Sequence, residues 1–391
     1  MFKRYIAGNH MVVEVSKDLF SWLESEVKRL IKGCRKTAFD GTILYTPDGK
    51  GYYNALWTRD FSYMVENAGD IMPLNEIEDC IRYLVRGQRG DGVMPDRVQI
   101  DGLPVYYPGD VSNPLGDPPG PATDNSQFMV KLIKDYIDLG GRVEFFQHFE
   151  SQLARGMDSV MLDENGLVYI DPRKPHSPYG FTDCIAKTGS LFFSSILYWE
   201  ACREMAELYT QIGREDECAK YLERAERIEE NIDVLWCDEM GLYYAASVDC
   251  RQLDIWGNAY AIFVGFPCKG RGRIIDFLVK NAHRYIWRGQ VRHLLKGQYW
   301  ERFLTYVPPE TYQNGAYWGT ASGWVIYTIA QINPNLASQI FIDLVEDYQF
   351  NGTCECINIG YRKLPDYVVS ATNPFGSIRR LIREGKAVVK S

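Results

Sequence analysis

Residues 190–236 read SLFFSSILYWEACREMAELYTQIGREDECAKYLERAERIEENIDVLW, and the fold is decided by this stretch. Its opening segment, SLFFSSILYWEA, is apolar almost all round, as a helix enclosed on every side must be. Its closing segment, AKYLERAERIEENIDVLW, has a charged solvent face. Only a short turn separates an inner helix from an outer one. GNAYAIFVGF and TASGWVIYTIA repeat the all-round apolar pattern further along the chain.

Working outward, helical periodicity predicts twelve helices: 15–36, from Arg59, 76–88, 125–139, 142–160, 190–212, 215–236, 256–265, 271–286, 317–332, 336–350 and 373–385. No convincing alternating strand interrupts them. The inner helices begin near 60, 125, 190, 256, 318 and 373, steps of about 55–66 residues. A short connection follows each inner helix. The one before it runs to about 20–35 residues, well beyond ordinary loops. Six stacked hairpins resolve the length of 391 residues, which would otherwise suggest two or three domains. The expectation is an all-α chain, residues 1–391 forming one (α/α)6 barrel with its six long loops at one end, above the inner-helix N-termini.

Composition narrows the partners. The net charge is −8, from 43 basic and 51 acidic residues, and no Lys/Arg run appears, so a nucleic-acid partner is not expected. No apolar stretch approaches the roughly 18 residues needed to cross a bilayer, and the leading MFKRYIAGNHMVVEV lacks the pattern of a secretory signal. The ten cysteines form no C-x-x-C pair and no zinc spacing. A reduced, cytoplasmic protein is expected, with no cofactor and no required metal, although acidic loops offer oxygen ligands for a structural Ca²⁺. The oligomeric state is not legible.

The long loops hold the residues capable of chemistry. The first ends in YYNALWTRD, with Trp57, Arg59 and Asp60. The second carries Asp96 and Arg97 in DGVMPDRV, then Asp124 and Asn125 in PATDNSQF. Asp60 and Asp124 each stand where a helix cap would, so capping is the plain alternative for both. The third loop holds Asp183 and Lys187 in YGFTDCIAKTG, and the fourth Asp254 and Trp256 in LDIWGN. The fifth has Trp300, Glu301, Glu310, Tyr312, Gln313 and Trp318 in GQYWERFLTYVPPETYQNGAYWG. The sixth has Glu355 between Cys354 and Cys356. Rings for C–H faces together with carboxylates, amides and a guanidinium for hydroxyls are what a polyhydroxylated ligand requires. Trp57, Trp256, Trp300 and Trp318 are expected to line the cavity. No G-x-S-x-G elbow or phosphate loop exists, and the five histidines (10, 148, 176, 283, 293) lie mostly away from the loop ends.

The six-hairpin pattern, with WTRD, DNSQF, YQNGAYW and SAT in that order, resembles the (α/α)6 glycosidase superfamily of glucoamylases, trehalases and the glucosidase part of glycogen-debranching enzymes. The resemblance implies a general acid before the third inner helix and a general base before the sixth, which places Asp183 and Glu355 in those roles. Phe181 stands where debranching-like relatives have Trp, and Glu355 is followed by Cys-Ile-Asn. Both departures leave the subdivision, and therefore the sugar, open. Glu310 and Glu301 are the alternative bases.

The resulting expectation is a glycoside hydrolase, inverting and exo-acting on a short oligosaccharide or glycoconjugate. Loops facing each other across the ring suit a carboxyl separation of about 6.5–9.5 Å rather than the shorter retaining distance. A sugar isomerase or epimerase, a polysaccharide lyase and a non-catalytic carbohydrate-binding protein are the alternatives.

Overall fold

The computed structural model describes residues 12–108 and 120–390; His10 and the leading segment lie outside them. Twelve α-helices are present among the described residues: α1 Lys17–Gly33, α2 Thr58–Ala68, α3 Leu74–Val85, α4 Asn125–Asp138, α5 Val143–Asp158, α6 Phe192–Gln211, α7 Glu215–Asn231, α8 Ile255–Phe263, α9 Arg271–Lys280, α10 Ser322–Ala330, α11 Pro334–Asn351 and α12 Val369–Arg383. The even-numbered helices pack in sequence, α2 on α4, α4 on α6 and onward, and α12 returns to α2, so the inner ring closes. The odd-numbered helices back it from outside. Burial follows the division read from composition. Every residue of α8 is buried, whereas α7 buries only Tyr221, Ala225 and Ile228, one narrow stripe.

Rings fill the barrel axis. Tyr63 meets Phe128 and Trp324 with centroids 5.0 and 5.7 Å apart, and Tyr260 meets Trp324 at 4.9 Å. Above them, Phe181, Trp256 and Trp318 contact one another at 5.9–6.2 Å. This plug closes the axis beneath the loop end of the ring.

The expectation of a purely helical chain is corrected, because the long loops fold into small sheets. Strands Ala55–Trp57, Arg97–Gln99 and Pro104–Val105 join the first two loops. A five-stranded antiparallel sheet runs through Ile286–Trp287, Gln290–Val291, Tyr317–Trp318, Cys354–Asn358 and Tyr361–Pro365, tying the fifth loop to the sixth. Each strand spans two to five residues, too short for alternation to register in the sequence. Tyr317 and Trp318, read as helix, are one of these strands. The adjacent Gly319 is crowded, since a β-carbon there would stand 1.9 Å from the Tyr348 hydroxyl.

Helix α12 starts at Val369 rather than at 373, with Pro374 inside it. Proline cannot donate to the carbonyl four residues back. That carbonyl, of Ser370, accepts instead from the Tyr348 hydroxyl at 2.7 Å. The tertiary contact supplies what the local sequence lacks.

Candidate active site

A cavity of about 120 Å³ opens among the loops at the N-terminal end of the inner ring. Its wall includes Tyr53, Trp57, Asp60, Phe181, Asp183, Tyr312, Glu355 and Tyr367. Arg59 touches it from beneath.

Arg59 lies in the first turn of α2 with 2% of its surface exposed. Its Nε donates to Asp124 Oδ2 at 3.0 Å, and its terminal nitrogen donates to Asp96 Oδ1. Asp124 Oδ2 also accepts from the Gly180 amide at 2.9 Å. The planar fork thus spans two fully buried carboxylates from the second loop and draws in the third, which a lysine could not do. The capping alternatives fail for both aspartates: neither α2 nor α4 has a side-chain cap hydrogen bond. Asp254, by contrast, caps α8 through the Gly257 amide at 3.1 Å.

Asp183 follows a short 3₁₀ turn, Gly180–Thr182. Gln313 donates to its Oδ1, and the Gln313 carbonyl oxygen accepts from the Cys184 amide at 2.9 Å, which orients the side-chain amide. Burial pushes the Asp183 carboxyl up to about 6, against the opposing pull of Gln313 and Arg59. Glu355 stands in the strand Cys354–Asn358, 2% exposed. Its Oε1 accepts from the Tyr53 hydroxyl at 3.0 Å and its Oε2 from the Lys363 ammonium. Burial raises Glu355 above the ordinary glutamate value, with Lys363 and Tyr53 opposing it and the charge of Asp183 adding to it. Asp60 accepts from the Tyr367 hydroxyl at 2.6 Å, and burial pushes it up to about 7.

The structure therefore brings Trp57, Arg59, Asp60, Asp183, Tyr312 and Glu355 together on one cavity, with Asp96, Asp124 and Gln313 directly behind them. Tyr312 reaches the wall from a left-handed backbone, φ +35°. Arg97 bonds Asp96 at 3.1 Å and lies 4.4 Å over the Trp57 ring.

Other expected residues stand elsewhere. Asn125 turns to the carbonyl of Met94 at 3.0 Å, away from the cavity. Trp256 and Trp318 are buried in the aromatic plug, Trp256 stacked on His293 at 3.8 Å. Trp300 is 3% exposed and packs with Ile185, Cys250 and Leu294, because its indole donates to the Gln313 backbone carbonyl at 2.9 Å. These three rings are corrected from cavity wall to packing beneath it. Lys187 is enclosed between Asp254 at 3.7 Å and the Trp300 ring. Neither alternative base lines the cavity: Glu301 is exposed, and Glu310 is held outside by Tyr299 at 2.6 Å and Asn358 at 2.8 Å.

Tyr53, Phe181, Lys363 and Tyr367 complete the site without having been expected as site residues. Lys363 had a faint signal. It stands eight residues beyond Glu355, and Gly360, at φ +69°, permits the tight hairpin between their strands.

Comparison of the fold finds similar structures among glycosidases. A GH63 mannosylglycerate hydrolase from Thermus thermophilus, in complex with Tris and D-glycerate, superposes with a TM-score of 0.65 at 15% identity, covering 90% of this chain and 99% of that one. The fold is that of the (α/α)6-barrel glycosidases. A Klebsiella oxytoca rhamnosidase with rhamnose bound gives 0.66 at 14% identity, over 96% of this chain and 66% of the other. A glycosidase variant in complex with glucose gives 0.63 at 13%, over 93% and 97%. No family model and no curated protein matches the sequence.

Proposed function

We propose that the protein is an inverting glycoside hydrolase that removes a terminal sugar from a short oligosaccharide or glycoconjugate, with Asp183 as general acid and Glu355 as general base. One observation carries the assignment. Two buried carboxylates from the loops before the third and sixth inner helices share a ring-walled cavity, and their hydrogen-bond partners differ in charge. Burial raises both carboxyl groups; at Asp183 the contacting donor that opposes it is a neutral amide, whereas at Glu355 it is an ammonium, the stronger stabiliser of an ionised carboxylate.

In this reading a protonated Asp183 delivers its proton to the glycosidic oxygen as the bond to the anomeric carbon breaks. Glu355 takes a proton from the water that attacks the opposite face of that carbon. Trp57 and Tyr312 offer apolar faces to the sugar, and Asp60 bonds its hydroxyls. Arg59 holds the second and third loops so that Asp183 stays in register. Residues 1–391 act as one catalytic domain. The ten unpaired cysteines fit a reducing, cytoplasmic setting. The sugars bound in the similar structures, rhamnose and glucose, make single pyranose units the first probes.

The histidine bases an isomerase would need do not line this cavity among the described residues: His293 is buried on Trp256. Arg59, on which a lyase would rely to neutralise a uronate, is committed to Asp96 and Asp124.

A panel of glycosides followed by proton NMR of the first-formed product tests the proposal. Release of the sugar with inverted anomeric configuration is expected. Asp183→Asn and Glu355→Gln should each cost about 10²–10⁴-fold in turnover. Retention of configuration would reject inversion, and no release from any glycoside would leave a binding protein.

A further inference from the structure

Lys363 is a cation at the active site that the acid–base pair does not itself employ. Its strand, Tyr361–Pro365, is the outer strand of the five-stranded sheet and, among the described residues, pairs only with the strand carrying Glu355. The Lys363 side chain retains 29% of its exposure, while that of Glu355 retains 3%. The ammonium lies 3.8 Å over the Tyr312 ring and 3.0 Å from the Tyr53 hydroxyl, and it donates to Glu355 Oε2. Tyr53 in turn donates to Oε1. Each carboxylate oxygen therefore carries one fixed donor, and each keeps a further lone-pair direction for another proton.

We propose that Lys363 is a positioning residue for Glu355: clamped between the Tyr312 ring and the Tyr53 hydroxyl, it holds the carboxylate ionised and fixes its rotation so that one oxygen faces the cavity. This rests on the reading of Glu355 as the base.

The balance of surrounding charge explains why such a cation is needed. Glu355 is faced by Tyr53 from the first loop, Asp60 from α2, Asp183 from the third loop and Tyr312 from the fifth. Tyr361 and Lys363 face it from the neighbouring strand, Tyr367 from the approach to α12, and Cys356 adjoins it on its own strand. Two of these are carboxyl groups, the rest besides Lys363 are neutral as acids, and Lys363 alone among them brings a positive charge; Arg59, the cation beneath the cavity, is paired with Asp96 and Asp124. Removing it leaves a desolvated carboxylate beside two other carboxyl groups, and protonation is the response expected of such a group.

The test compares Lys363→Met, which keeps length and loses charge, with Lys363→Arg, which keeps charge; Lys363→Gln replaces the Met variant if that one does not accumulate folded. Near-ultraviolet circular dichroism establishes the native fold of each. The Glu355 carboxyl is then titrated by ¹³C NMR in glutamate-labelled protein, its resonance identified by its loss in Glu355→Gln. In the neutral variant the midpoint should rise by about one pH unit, tenfold in the protonation equilibrium, and Arg should restore most of it. With the glycoside found by the panel, kcat should fall with KM nearly unchanged, and the acidic limb of the rate profile should move up in step. An unchanged Glu355 midpoint in the neutral variant overturns the proposal. If the midpoint moves while Glu355→Gln keeps its turnover, Lys363 does hold the carboxylate, and the assignment of Glu355 as base is what falls.

Discussion

Adding a single methyl group at Gly180 should cost as much stability as removing a buried ion pair. The residue lies against the Arg59 guanidinium, and a β-carbon there would stand 1.7 Å from Nε and 2.0 Å from Cζ. The far end of a long side chain ordinarily swings aside at little cost. Arg59 cannot, because Asp96 and Asp124 hold it on two sides and both carboxylates are 0% exposed. Displacing the guanidinium strands at least one of them, and breaking a buried pair from one side costs about 3–5 kcal/mol. The lower chain entropy of alanine returns less than about 1 kcal/mol.

Urea unfolding of Gly180→Ala should therefore show a loss of about 3–5 kcal/mol. With an unfolding entropy near 2.1 cal/mol/K per residue, that corresponds to about 4–6 °C in Tm for a chain of this size. Gly272→Ala is the matched control. Gly272 sits in the first turn of α9 with nothing within 4 Å of its β-position, so alanine there should be neutral or stabilising by up to about 1 kcal/mol. If Gly180→Ala proves as stable as Gly272→Ala, the Arg59 network relaxes freely and does not hold the loops in register. Turnover should fall together with stability, because the same turn carries Asp183.

Three further outcomes follow from burial and exposure. The Asp183 carboxyl titrates higher in the folded chain than in the unfolded one, so folding takes up a proton between those values, and its ionisation opposes folding as pH rises through about 6. Asp183→Asn should hence melt above the parent at pH 8 and coincide with it near pH 4, even as its turnover falls in the proposed mechanism; a lower Tm at both pH values would contradict the assigned direction. Trp57→Ala should raise KM with little loss of Tm, since Trp57 walls the cavity. Trp300→Ala should cost about 3–5 kcal/mol in denaturant unfolding, since it leaves a void in packed core; a raised KM without that loss would return Trp300 to the sugar's side.

The sequence by itself determined the double ring. All-round apolar segments such as SLFFSSILYWEA alternate with striped ones such as AKYLERAERIEENIDVLW, and a long loop precedes each inner helix, so length and periodicity suffice to place the ends. The motif order then directed attention to Asp183 and Glu355, and both line the cavity. Which tryptophans see that cavity was decided only by the tertiary structure. Trp57 and Trp300 both belong to long loops that precede inner helices, yet one is on the wall and the other donates to the Gln313 carbonyl behind it. The partners of the carboxylates also lie beyond local pattern: Asp183 meets Gln313 from 130 residues away, and Glu355 meets Tyr53 from 302. Periodicity reports which face of an element is buried. It carries no information about which distant loop supplies the neighbour, because that depends on how six loops close over one ring and on which buried charges must be paired once water is excluded.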